Sequence, residues 1–221
     1  MRKIIAVTNP KGGVGKTFLA FHLACFLQQK GENVKIIDLD IIEAISVLAE
    51  VRESNAFQKL DVTIAQSSDE LYSLIEKFSE THNVIIDIGG YAASLSMVAV
   101  GMSDYVIAPT STGKTDEIGL LKLVAMLKEI KKKNKEATSK ALVVINNVKN
   151  NKIENIERIV FDNPEELILC KKMLKSRVSY NFALAIGASS LEIQPKSASD
   201  KKGREEMKSF LDSLLLMFGE K

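Results

Sequence analysis

The densest chemistry in the sequence lies in nine consecutive residues, Asn9-Pro10-Lys11-Gly12-Gly13-Val14-Gly15-Lys16-Thr17. An apolar run, Lys3 to Thr8, precedes them, and a helical pattern follows. Glycines in such a turn let backbone N–H groups converge on phosphate oxygens. The start of the following helix adds partial positive charge. Lys16 would neutralise terminal phosphates, and the Thr17 hydroxyl would hold Mg²⁺. The ordinary phosphate-loop pattern has a glycine where this chain has Pro10, so the strand-turn-helix setting carries part of the assignment.

Three carboxylates end apolar runs further on. Ile36-Ile37-Asp38-Leu39-Asp40 carries two, and Val84-Ile85-Ile86-Asp87 carries one. A carboxylate can orient water for in-line attack on a phosphoryl group. Mg²⁺ keeps most of its water and accepts one or two carboxylates, so Asp87 would hold it through water.

These groups need a scaffold that gathers them. The sequence predicts strands at 3–8, 34–38, 62–65, 84–87, 105–109, 141–145 and 167–169. It predicts helices from Phe18 to Gly31 and at 43–50, 69–80, 116–133, 179–186 and 203–218. Continuous apolar strands separated by helices mean a parallel sheet covered on both faces. The expected fold is therefore α/β and doubly wound, a mostly parallel sheet flanked by helices, as a single domain over 1–221. Ligands of such sheets bind at the carboxyl ends of strands, just after Thr8, Asp38, Asp87, Pro109 and Ile145. Lys196-Ser197-Ala198-Ser199-Asp200-Lys201-Lys202 reads as a surface loop.

Composition narrows the class. With 46% hydrophobic and 26% charged residues, the chain is not disordered. No run of about 18 apolar residues suggests a membrane span, and Met1 to Ile5 does not read as a signal peptide. Cys25 and Cys170 build neither a disulfide framework nor a metal site, and His22 and His82 show no ligand partner. The expected location is cytoplasmic. Lys plus Arg number 30 against 28 acidic residues, so any basic surface must come from local clustering.

The string Lys11-Gly12-Gly13-Val14-Gly15-Lys16-Thr17 resembles the deviant Walker A motif of the ParA/MinD ATPases. Ser103-Asp104-Tyr105 to Thr110 also resembles that family, and Leu174 to Tyr180 followed by Ala183, Gly187 and Leu191-Glu192 resembles the tail of the short plasmid-type ParA proteins. The resemblance implies a P-loop ATPase with ATP and Mg²⁺ as ligands. Lys11, Gly12, Gly13, Val14, Gly15, Lys16, Thr17 and Phe18 would surround the nucleotide, with Asn146 at the adenine. Lys11 would reach across to the phosphates of a second subunit, so ATP would drive homodimerisation. Asp40 would orient or activate the attacking water, and Asp38 would support the Mg²⁺ shell. Catalysis would then rest on Lys11, Lys16 and Asp40, and metal binding on Thr17, Asp38 and Asp87.

Two segments depart from the family. Ile41-Ile42 replaces the usual Pro-Gln, which puts the loop geometry and hydrolysis rate in question. Ile88-Gly89-Gly90 replaces a segment that often holds proline, and its glycines suit a switch that responds to the γ-phosphate. The nitrogenase iron proteins share the loop but bridge a cluster with paired cysteines, which Cys25 in the first helix does not match.

The resemblance further implies non-specific DNA binding, nucleoid association and a ParB-type adaptor in plasmid or chromosome partition. Because the phosphate loop begins at Asn9, no helix-turn-helix domain is expected ahead of it. Basic clusters at Lys171, Lys172, Lys175 and Arg177, and at Lys196, Lys201, Lys202, Arg204 and Lys208, are candidates for phosphate contacts. The run Lys128 to Lys135 reads as a solvated helix face. Two positioning alternatives stay open, a MinD-like membrane ATPase and a ParA-like positioner of a protein cargo. A nonhydrolysing or metabolic P-loop protein is a third. The amphipathic stretch Met207 to Phe218 reads as a closing helix packed on the sheet rather than a lipid anchor.

Overall fold

The computed structural model describes residues 2–89, 93–134, 140–148 and 153–219. Gly90 and Lys135 lie outside the described residues. Among the described residues, seven strands form one parallel sheet: β1 (Ile4–Val7), β2 (Val34–Asp38), β3 (Asp61–Ile64), β4 (Asn83–Asp87), β5 (Tyr105–Thr110), β6 (Ala141–Ile145) and β7 (Leu167–Leu169). Their spatial order is β3-β2-β4-β1-β5-β6-β7. From β1 the chain passes β4 to build one half of the sheet, returns through β4, then crosses β1 to build the other half. The direction of winding reverses at β1, and such a reversal opens a crevice at the carboxyl edge.

The helices are α1 (Lys16–Gln29), α2 (Ala44–Ser54), α3 (Ser68–Phe78), α4 (Ala93–Gly101), α5 (Lys114–Lys133), α6 (Glu154–Asp162), α7 (Val178–Ala185) and α8 (Ala198–Met217). They cover both faces. Ile5, Val7, Ile36, Ile85, Ile107 and Val144 pack with α1 and α8. Ala6, Ile37, Ile86, Ala108 and Ile145 pack on the other face with residues of α3, α4 and α5. Alternate strand residues thus feed two cores, which is why each strand reads as continuously apolar.

Of three local differences from the sequence reading, two have plain physical reasons. Helix α4 was not predicted, since Ala93-Ser94-Leu95-Ser96-Met97-Val98-Ala99-Val100 is almost uniformly small and apolar and has no 3.6-residue period to detect. Helix α6 was also not predicted. The expected surface loop at 196–202 is instead the start of α8. The Ser197 hydroxyl accepts from the Asp200 N–H at 3.1 Å, and the Asp200 carboxylate accepts from the Lys196 N–H at 3.2 Å. This pair of reciprocal bonds caps a helix in a segment whose composition suggested coil.

Helix α8 closes the molecule. Met207, Phe210, Leu211 and Leu214 are buried in the core it shares with α1. The Phe218 carbonyl accepts hydrogen bonds from Lys3 Nζ at 2.6 Å and the Tyr105 hydroxyl at 2.8 Å. Among the described residues, no helix is long and apolar enough to cross a membrane.

Candidate functional site

The strand register sets the site. Val7, the last residue of β1, pairs with Asp87 of β4, and Asp87 pairs with Asp38 of β2. The sequence-predicted loop and carboxylates therefore converge at one carboxyl edge.

The loop from Asn9 to Gly15 turns sharply enough to need left-handed backbone at Gly13 (φ +74°) and Gly15 (φ +96°). Gly15 is also the position where a side chain would collide, 2.1 Å from the Asn146 amide nitrogen. That amide donates to the Val14 carbonyl at 3.0 Å, so β6 braces the back of the loop. Asn9 braces the front: its side chain donates to the Pro109 carbonyl at 2.8 Å and accepts the Lys11 N–H at 2.9 Å. Asn9 was not singled out in the sequence, because an Asn in a turn has no signature beyond the turn itself.

Lys16, in the first turn of α1, is buried, and its Nζ donates to the Lys11 carbonyl at 3.1 Å. Burial lowers its pKa, against the pull of Asp87 and Asp40. Lys11 follows a different path. Its Nζ pairs with Asp116 on α5 at 2.6 Å, and the other Asp116 oxygen accepts the Gly113 N–H at 3.0 Å. Gly119 of α5 leaves the space for the Lys11 stem, since a Cβ there would lie 2.8 Å from it. Asp116 was likewise missed, as only the packing of α5 against the loop brings it to Lys11.

The three acids divide their work. Asp38 is fully buried and fully used: one oxygen accepts the Asp40 N–H at 3.0 Å, the other accepts the Ser46 hydroxyl at 2.8 Å. It braces the turn, and its carboxylate lies at the strand end paired in register with Asp87. Asp40 lines a cleft of about 570 Å³ together with Gly12, Gly13, Lys16, Thr17 and Ile42. Its Oδ1 accepts the Ile42 N–H at 3.1 Å. Asp87 is buried, and among the described residues neither of its oxygens has a hydrogen-bond partner. Burial raises its pKa to about 7; the neighbouring Thr17 hydroxyl and Lys16 pull it down, while Asp38 and Asp40 push it up.

A buried carboxylate with no hydrogen-bond partner among the described residues, beside a threonine hydroxyl and a phosphate loop, suits a hydrated divalent cation. Among the described residues there is no cluster of three or more His, Cys, Asp or Glu able to cage a metal. Mg²⁺ does not require one when phosphates and water complete its shell. A second cleft, about 330 Å³, shares Gly13, Gly15 and Phe18 with the first and is closed by Asn146, Lys175 and Tyr180. Asn146 thus lines the side where a base was expected, while its amide N–H is committed to Val14.

Two of the predicted basic residues are held in ion pairs: Arg177 with Glu206, and Lys208 with Asp212 at 2.8 Å. Arg177 forms a two-point pair with Glu206 of α8, at 2.6 and 3.2 Å. The Tyr180 hydroxyl adds a 2.9 Å bond to the Gly203 carbonyl. Arg177 is therefore a pin between segments rather than a free cation. Lys175, Lys201 and Lys202 are exposed, Arg204 is half-buried, and none forms an ion pair among the described residues. In the 128–135 run, Lys131 donates to the Glu165 carbonyl and Lys133 pairs with Glu129 at 2.8 Å, which fits a solvated face.

A parallel sheet with this winding, a glycine loop feeding α1 and carboxylates at adjacent strand ends define a nucleotide-binding P-loop protein. The profile of the CobQ/CobB/MinD/ParA nucleotide binding domain matches residues 5–188, and the chain belongs to that family. It is 23% identical over 215 residues to the protein ParA of Rhizobium radiobacter, covering 94% of this chain and 93% of that one. A local match to the septum site-determining protein MinD of Thermotoga maritima is 34% identical over 76 residues, spanning 34% of this chain and 23% of that protein. Apo McdA of Cyanothece shares the fold with a TM-score of 0.73 at 16% identity, over 97% of this chain and all of that one.

Proposed function

We propose that this chain is an ATP-driven dimerising switch that hydrolyses ATP slowly, binds DNA without sequence preference and moves a plasmid or chromosome with a ParB-type adaptor. The observation that carries the reading is the pair of lysines on one loop. Lys16 is built into the cleft, whereas the part-exposed Lys11 side chain leaves the loop to pair with Asp116. A lysine placed so can exchange its carboxylate for the triphosphate of a second copy.

The chain's own groups account for the chemistry expected. Backbone N–H groups of the loop and Lys16 would hold the phosphates. Asp40 would orient water for in-line attack from the open side of the cleft. Thr17 and Asp87 would hold Mg²⁺, which supplies charge neutralisation at the phosphates when bound. In the ATP-bound dimer, basic patches from two copies would act on one duplex, and paired weak sites bind far better than one. The burial of the α8 apolar face in the core gives the membrane-associated alternative less support.

The test is sedimentation of the purified protein with ATP, ADP or no nucleotide, together with phosphate release. The expected result is an ATP-specific dimer that Lys11→Ala abolishes while ATP still binds, and loss of ATP binding in Lys16→Ala. A monomer in every nucleotide state would contradict the reading.

A further inference from the structure

Beyond Asp87 the chain runs through Ile88 to Gly89, and Gly89 lies against Asp40. A Cβ at Gly89 would sit 2.8 Å from the Asp40 Cα and 2.8 Å from its Cγ and Oδ1. Gly89 does not have a positive φ, so space rather than backbone conformation demands glycine here. One of the colliding atoms is backbone, and Asp40 has little freedom to retreat. Its N–H is bound to Asp38, its Oδ1 to the Ile42 N–H, and its carbonyl accepts the Glu43 N–H at 2.9 Å. The Leu39 N–H is tied to the Asp87 carbonyl at 2.9 Å, which locks the ends of β2 and β4 together.

We infer that Gly89 is a positioning residue for hydrolysis: its bare backbone is the seat against which the Asp40 carboxylate is held toward the phosphate cleft. The two segments in which the chain departs from the family pattern meet here, because the Oδ1 that a Cβ at Gly89 would strike also accepts the Ile42 N–H. A shift of about 1 Å in a positioned group is enough to cost a large factor in rate. The inference rests on the reading of Asp40 as the group that orients water.

The experiment compares full-length Gly89→Ala, Asp40→Ala and the double variant, measuring kcat with Mg-ATP and the Kd for a fluorescent ATP analogue. In Gly89→Ala, kcat is expected to fall tenfold or more while Kd changes less than threefold. In the Asp40→Ala background, adding Gly89→Ala is expected to change kcat less than twofold. Gly101→Ala is the control, since its Cβ would meet only an Ile130 methyl at 3.8 Å; it should behave as wild type. Wild-type kcat in Gly89→Ala, an equal loss in the Asp40→Ala background, or a Kd that rises with the loss of rate would overturn the inference. Wild-type kcat in Asp40→Ala would instead remove the underlying reading of Asp40, and the inference with it. If Gly89→Ala does not fold, Asp40→Glu with Gly89 intact is the second variant: it moves the carboxylate off this seat by one methylene, kcat is expected to fall tenfold or more with Kd changed less than threefold, and wild-type kcat there would overturn the inference.

Discussion

At the scale of single residues, Asp87 and His22 carry buried charge problems of opposite sign. Asp87 has its pKa raised by burial from 3.8 to about 7. Between those values the folded state keeps a proton that the unfolded state has released, so this group makes stability fall as pH rises from about 4 to about 7. His22 is fully buried, and burial lowers its pKa from 6.5 to about 4. Its Nδ1–H donates to the Phe18 carbonyl at 2.9 Å, and its Nε2 accepts the Ser190 N–H at 3.4 Å, an arrangement suited to neutral imidazole. Here the unfolded state binds the extra proton, so stability rises with pH over about 4 to 6.5. The two effects oppose one another in the wild type. Asp87→Asn should unmask the histidine, giving a melting temperature in Mg²⁺-free buffer that climbs from pH 4.5 to 6.5 more steeply than in wild type. Parallel pH profiles would show that Asp87 is not the buried acid described. The residues of the site differed in legibility. Lys11 to Thr17 form a local string whose spacing carries its own meaning. Asn9, Asp116 and Gly89 act through contacts with β5, Lys11 and Asp40, which no local pattern encodes.

At the scale of elements, long-range polar ties decide what holds the helices in place. Arg52 on α2 is 1% exposed. Its guanidinium grips Glu192 at 2.6 and 2.7 Å and donates to the Gln58 and Gly187 carbonyls at 2.6 and 3.1 Å. Gly187 allows α7 to approach α2, with φ +66° and a would-be Cβ only 2.3 Å from the Arg52 backbone nitrogen. Removing one partner strands the other, so Arg52→Ala should cost about 3–5 kcal/mol. The paired change Arg52→Met with Glu192→Leu should cost much less, and urea midpoints compare the two. Equal losses would mean that packing, rather than the stranded charge, sets the cost. The strands were legible because a parallel sheet buried on both faces writes itself as apolar runs ending in polar residues. Helix α4 was illegible because it is apolar without a period, and the start of α8 because a capped charged turn and a charged loop share one composition. Arg52 reads as an ordinary surface arginine until Glu192 is brought to it.

At the scale of the whole molecule, the exposed cations near the start of α8 matter more than the net charge of +2. Lys175 is held beside α8 because its backbone N–H donates to Glu206 at 2.9 Å, so Lys175, Lys201, Lys202 and Arg204 belong to one structural unit. Lys201→Ala with Lys202→Ala should weaken binding to all DNA sequences alike and flatten the salt dependence by about 0.9 in log–log slope per lost phosphate contact. Arg177→Ala should chiefly lower the melting temperature, since it releases Glu206. Unchanged DNA affinity in the double lysine variant would place the nucleic-acid surface elsewhere. The most direct measurement of the switch is binding of the wild-type protein to random-sequence duplex DNA with ATP, ADP or no nucleotide, across a range of salt. Tight binding with ATP alone, weakening steeply as salt rises and lost in Lys11→Ala, is the expected result. An ATP-bound dimer that ignores DNA at low salt would contradict the partition reading.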